Sequence, residues 1–158
     1  MKKGALEDQD FASWIFIART RDAILKNRVK DLRKYNLSDR QSAVLMILDA
    51  LDENSTPAEI SRWVFREPHS ISAFLKSMER DGLIRRVKDL DRKNMIRVTI
   101  TEKGRKAVHD TKKMESIKKI MSSLTKGEHQ QLRAILEKLW DKALGELGID
   151  KRPMFPNY

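Results

Sequence analysis

The sequence predicts a mainly α-helical fold broken once by a β-hairpin. Three observations predict it. Capping chemistry stands at the head of several segments, apolar residues recur three and four apart over most of the chain, and in one stretch that period falls to two. The chain has 158 residues and 40% hydrophobic content. That fits one domain of ordinary size and suffices to bury a core without disulfides or a metal.

Each element has its own signal. Phe11, Trp14, Ile15, Ala18, Leu25, Val29 and Leu32 follow the helical spacing, with one polar gap at Arg21-Asp22, and predict a first helix within residues 8–36. Ser38-Asp39-Arg40-Gln41 is a capping box, in which a hydroxyl accepts from N3 and the N3 side chain reaches back. It leads into Val44, Leu45, Leu48 and Leu51. Thr56-Pro57-Ala58-Glu59 is a second box, with Pro at N1 where a missing N–H costs nothing. Glu67-Pro68 opens the next helix, which carries Ile71, Phe74, Leu75 and Met78 and ends at Gly82, a C′ glycine. These two short helices, over 57–66 and 68–81, are expected to follow one another almost without a linker.

Then the period changes. Leu83, Arg85 and Val87 alternate with Ile84, Arg86 and Lys88; later Ile96, Val98 and Ile100 share one face while Arg97 and Thr99 take the other. Two β-branched, alternating runs joined by residues 89–94 predict a hairpin with a basic tip. Thr101 caps what the spacing of Ala107, Thr111, Met114, Ile117, Met121 and Leu124 predicts as one long helix. Thr125-Lys126-Gly127-Glu128 is a third capping box, heading a last helix with Leu132, Ile135, Leu136, Leu139, Trp140, Ala143, Leu144 and Leu147.

Composition narrows the function. There are 33 Lys and Arg against 23 Asp and Glu, a net charge of +10. Nearly all of the excess, +9, falls between residues 56 and 126. A polyanion is therefore the first partner to expect. Cysteine is absent, which excludes a disulfide framework, a thiolate zinc site, an iron–sulfur cluster and a thiol redox sensor. No apolar run approaches the ~20 residues of a membrane span, and acidic residues near Met1 exclude a signal peptide, so a cytoplasmic protein with no membrane partner is expected. His69, His109 and His129 lack metal-ligand spacing, so neither metal nor cofactor is expected. No GxSxG, P-loop or HExxH motif is present, and an enzyme is not expected.

Two short helices joined tightly and followed by a hairpin make a winged helix-turn-helix. In such proteins the second helix enters the major groove N-terminus first. Here that end offers Pro68, His69, Ser70 and Ser72, with Arg66 and Lys76 beside them; Arg86, Arg85 and Lys88 offer phosphate contacts from the hairpin, unless Arg85 or Arg86 pairs with Asp81 or Asp89. Arg92 and Lys93 at the tip suit the minor groove or its rim.

At this point the sequence resembles the MarR (multiple antibiotic resistance regulator) family. The residues that carry the resemblance are Leu37-Ser38-Asp39-Arg40-Gln41 before Val44-Leu45, Ser70-Ile71-Ser72, the run from Met78 to Arg86, Asp91-Arg92-Lys93, and Ile100 to Arg105. The resemblance spans roughly residues 10–147, with a winged helix over 38–104 between dimerisation helices over 8–36 and 105–147. It implies a homodimer with interlocked first and last helices, a palindromic operator on double-stranded DNA, repression of transcription, and in many members release by a small anionic or phenolic effector. It also places Ser70 and Ser72 where the family reads bases and Arg92 near its minor-groove arginine. Two departures stand out. Glu67 replaces the usual Ser or Asp cap, and the stretch from Asp91 to Thr101 is one residue longer than the commonest wing.

The dimer has a reading of its own in the residues. The last helix carries an apolar stripe too wide for a monomer surface. Phe11, Trp14 and Ile15 from the first helix and Leu136, Leu139, Trp140 and Leu144 from the last are expected at the interface. Trp63 and Phe65 crowd the end of the first short helix, where one of them is expected to be partly exposed. The tail, 148–158, holds Phe155 and Tyr158 and is either a frayed end or an arm on the partner. Two other functions stay open: a winged-helix adaptor for proteins, and a basic RNA-binding protein.

Overall fold

A computed structural model of the chain describes residues 8–51, 55–89, 95–113 and 115–149. The wing tip with Arg92 and Lys93, Met114, and the tail from 150 onward lie outside the described residues. The elements run α1 (Gln9–Arg33), α2 (Asp39–Leu51), α3 (Pro57–Trp63), α4 (Pro68–Arg80), β1 (Ile84–Asp89), β2 (Met95–Ile100), α5 (Glu102–Thr111), α6 (Glu115–Met121) and α7 (Lys126–Glu146). This is the expected class, a mainly helical winged helix-turn-helix with a two-stranded wing.

The caps work as their sequences dictate. Ser38 Oγ accepts from Gln41 N–H at 3.1 Å while Gln41 Oε1 accepts from Ser38 N–H at 2.9 Å. Thr56 with Glu59 and Thr125 with Glu128 close the same reciprocal box. Glu67 makes no side-chain cap, in keeping with its poor fit to that role. At the other end of α4, Gly82 takes φ +72°, its N–H donates to Glu79 C=O, and Leu83 N–H donates to Met78 C=O. This Schellman turn stops the helix and aims the chain into β1.

The strands pair antiparallel with Arg86 opposite Val98 and Ile84 opposite Ile100. Val98 is fully buried. Its N–H also donates to Ser55 C=O at 2.8 Å, so the residue ahead of the α3 cap bridges to the base of the wing. Leu32, Val44, Leu45, Ile60, Ile71, Leu75, Met78, Ile84 and Val98, all at most 1% exposed, form one continuous core with Leu37, Leu48, Leu83 and Val108. Each such side chain contributes about 1.5–3 kcal/mol on burial. The core belongs to the winged helix, the last turn of α1 and, through Val108, α5. It includes nothing from α6 or α7.

Two expectations about segment length need correction. The predicted long helix after Thr101 is two helices: α5 ends at Thr111 and α6 begins at Glu115. The break is set from outside the segment. An Asp31 oxygen on α1 accepts from Ser116 N–H at 2.8 Å and so caps α6, while Lys34 pairs with Glu115 at 3.0 Å. Likewise α3 stops at Trp63, and residues 64–67 form a turn before α4. Arg66 N–H donates to Ser61 C=O and Phe65 N–H to Arg62 C=O, a Schellman turn in which Phe65 holds the left-handed position at φ +50°.

The joint between wing and α5 is tight. Thr101 Oγ1 donates to Gly82 C=O at 2.7 Å, and Thr101 N–H donates to Leu83 C=O at 3.2 Å. A Cβ on Gly104 would lie 2.2 Å from the Leu83 carbonyl oxygen and 2.8 Å from Ile100. Gly104→Ala is therefore expected to lower unfolding free energy by about 1–3 kcal/mol, the usual cost of overpacking. Urea denaturation checks this, and an unchanged midpoint would mean that the joint yields.

Candidate nucleic-acid interface

Helix α4 buries Ile71, Leu75 and Met78, spaced at i, i+4 and i+7. The opposite stripe, His69, Ser72, Ala73, Lys76 and Arg80, is exposed. Short polar groups lie at the N-terminal end and cations toward the C-terminal end. Pro68 and Arg66 are also exposed at the head of the helix. With Glu67 not capping, no side chain of that residue closes off the first turn, where N–H groups favour an anion.

Both flanks of α4 are fastened. On the wing side, Glu79 takes Arg86 in two bonds, from Nε at 2.8 Å and from the backbone N–H at 2.7 Å. That pair holds the Glu79 carboxyl below the usual carboxylate range, chiefly through the guanidinium and then through the backbone bond. Arg86 thus has a structural partner, Glu79, rather than Asp81; the Asp89 side chain lies outside the described residues. On the α2 side, Arg40 Nη2 donates to Ser70 Oγ at 3.1 Å, and its guanidinium carbon lies 4.3 Å from the centre of the Phe74 ring. Gln41 Nε2 donates to Asp81 Oδ2 at 2.9 Å, and Lys103 Nζ to the Asp81 carbonyl at 2.7 Å. An open cleft of about 530 Å³ lies beside this C-cap, lined by Tyr35, Leu37, Gln41, Asp81, Lys103 and Lys106, among others.

Sequence reasoning therefore placed His69, Ser70, Ser72 and Lys76 on one exposed helix and missed Arg40. No spacing rule could find it, because Arg40 reaches α4 only through the crossing of two helices. The charge map also needs refinement. Of the cations after residue 105, Lys112 pairs with Asp49 at 2.7 Å and Lys113 with Asp110 at 3.0 Å. Part of that segment's charge is balanced within the chain.

A second exposed feature is apolar and lies on α1 and α7. On α1, Trp14 is 61% and Phe16 76% exposed, and Phe11 and Ile17 are also exposed, while Ile15 is half-buried. On α7, Leu132, Ile135, Leu136, Leu139 and Leu147 are all exposed. Leu144, expected on the same face, is instead buried within its own chain, beside the turn in which Ile149 N–H returns to its carbonyl. Trp140 is half-buried and meets Phe65 edge-on, with ring centres 5.4 Å apart. Trp63 is half-buried and Phe65 the more exposed of that crowded pair.

Among the described residues, no group of acidic and histidine side chains has the arrangement of a metal site, and no helix is long and apolar enough to cross a membrane.

Comparison with known proteins bears on this arrangement. Residues 37–104 match the family model of a winged helix DNA-binding domain. No curated protein sequence matches the chain. Among solved structures, the organohalide-sensing RdhR transcriptional regulator is similar at 29% identity and TM-score 0.87, covering 100% of this chain and 95% of that one, both with 2,4-dichlorophenol bound and ligand-free. The transcriptional repressor CouR bound to a 23-mer DNA duplex is similar in fold at 21% identity and TM-score 0.75, covering 88% and 97%. A MarR-family regulator from Rhodococcus sp. RHA1 is similar in fold at 20% identity and TM-score 0.72, covering 87% and 96%.

Proposed function

We propose, from the winged helix DNA-binding match over residues 37–104 and the whole-chain likeness to RdhR, that this chain is a MarR-type regulator: a homodimeric, DNA-binding transcriptional repressor that reads a palindromic operator and is released by a small ligand. The observation that carries DNA binding is the uncovered stripe of α4, with His69 and Ser72 at its entry end, Ser70 exposed on the adjoining α2 flank, and Lys76 and Arg80 behind them. Short polar groups at a helix N-terminus fit the major groove, and the cations fit the phosphates beside it. Arg66 and the wing tip, Arg92 and Lys93, extend that contact to the flanking backbone and minor groove.

Burial supports the dimer. α7 and the first half of α1 expose more large apolar side chains than a lone domain keeps in water. A second copy related by a two-fold axis covers them and sets two reading heads on one face of the duplex. RdhR with its dichlorophenol supports a ligand-responsive member of this fold. The cleft beside the Asp81 C-cap adjoins the base of α4, so a ligand there bears directly on the reading helix.

The test is a titration of the protein with duplex from its own upstream region at several salt concentrations. The logarithm of affinity is expected to fall with that of salt by about 0.9 for each phosphate contacted. Footprints are expected as two half-sites ~10 bp apart, centre to centre, or a multiple of that. Absence of binding at low salt would overturn the repressor and favour the adaptor, and preference for single-stranded RNA over duplex would favour the RNA reading.

A further inference from the structure

We infer that Arg40, on α2 and outside the reading stripe, is a positioning residue that decides which bases Ser70 accepts. The inference rests on the DNA-binding reading above and deepens it. Arg40 leaves a turn that is itself anchored. Ser38 and Gln41 close the cap before it, Gln41 ties that cap to Asp81 on α4, and Asp39 lies 3.7 Å from Arg28. From there the guanidinium lies over Phe74, a partner that packs against the core, and donates to Ser70 Oγ. Stacking fixes the plane of the group, and a planar cation fixed in this way has few other directions in which to send its N–H.

The consequence lies in the serine hydroxyl, which has one hydrogen and two lone pairs. Free to rotate, it serves any base as donor or acceptor. With one lone pair taken by Arg40, its hydrogen turns away from the cation and toward the open side of α4. Ser70 then faces the groove as a donor. Guanine N7 and O6, adenine N7 and thymine O4 accept such a bond, whereas cytosine offers an N–H₂ donor in its place. The base opposite Ser70 in each half-site is thereby selected against cytosine.

The experiment selects bound duplexes from a random pool with the wild type and with S70A, R40A and R40K. It then measures affinity for the best sequence and for its cytosine variant at each position. The wild type is expected to disfavour cytosine by about three- to tenfold at one position per half-site, the worth of a single hydrogen bond. S70A and R40A are expected to lose that preference at the same position, and the double variant to lose no more than either. R40K keeps the charge without the planar bond. It is expected to keep the salt dependence and lose the preference, and it also serves if R40A folds poorly. An R40A that keeps the preference, or that weakens all sequences equally with a salt slope smaller by about one, would overturn the inference while leaving DNA binding intact. An S70A without effect at any position does the same. A wild type that binds no duplex overturns the reading beneath it and the inference with it.

Discussion

Leu136→Lys combined with Leu139→Lys is expected to split the proposed dimer into monomers of 18.4 kDa and to weaken binding to the proposed operator by about 10²–10⁴-fold. Both leucines are more than two-fifths exposed on α7, in line with Leu132 and Ile135 at helical spacing. In one chain they face water, so their replacement costs the folded protomer little. In a dimer they are desolvated, and two lysines there meet their symmetry mates as unpaired buried charge. The loss in DNA affinity is an effective-concentration effect: once one head is bound, a tethered second head sees its half-site at about millimolar concentration, and a monomer forgoes that gain. Light scattering gives the mass and a gel shift gives the affinity. Circular dichroism should stay close to the wild type because the core lies in the winged helix. A variant that keeps the dimer mass would show that α7 faces something other than a second copy.

Phe65→Gly and Phe65→Ala are expected to differ in an unusual direction. Glycine in place of alanine ordinarily weakens a fold, because it frees the unfolded chain. At Phe65 the backbone is left-handed, φ +50°, which costs a side-chain-bearing residue about 1–2 kcal/mol. The ring offsets part of that through its edge-on contact with Trp140, a pair worth about 0.5–1.5 kcal/mol. Phe65→Ala keeps the strain and loses the contact, whereas Phe65→Gly loses both. The glycine variant is therefore expected to be near the wild type and about 1 kcal/mol more stable than the alanine variant. Thermal unfolding of the two decides this, and an alanine variant at least as stable as glycine would refute the account. The same glycine variant is expected to bind DNA less tightly than its stability suggests, since the aromatic pair ties the helix-turn-helix to α7.

What was legible in the sequence is what neighbours along the chain decide. Ser38, Thr56 and Thr125 each cap their own helix within four residues, Gly82 ends α4 in the conformation its missing Cβ allows, and the alternation from Ile96 to Ile100 states the face of β2. The MarR resemblance rested on such local runs, and the whole-chain frame agrees with it. What escaped is set by distant residues. Nothing between Arg105 and Leu124 announces the break before α6, because its cap is Asp31, 85 residues earlier. Phe65 carries no mark of a left-handed turn, since glycine is the residue that normally signals one. Arg40 reads in the sequence only as part of a cap, and Arg86 reads as a phosphate contact or a partner of Asp81 or Asp89, whereas the fold pairs it with Glu79.

The joint at Gly104 has a consequence for how a signal travels. Thr101 bonds to both residues of the α4 exit, and the Gly104 Cα stands against the Leu83 carbonyl with no room for a methyl group. Recognition helix, wing base and α5 therefore move as one solid part. A signal arriving along α5 or from the cleft it lines is expected to shift α4 and the wing base together. For the dimer proposed above, induction is then expected to be a matter of pitch: both heads keep their reading surface, and what changes is whether their separation still matches a turn of the double helix.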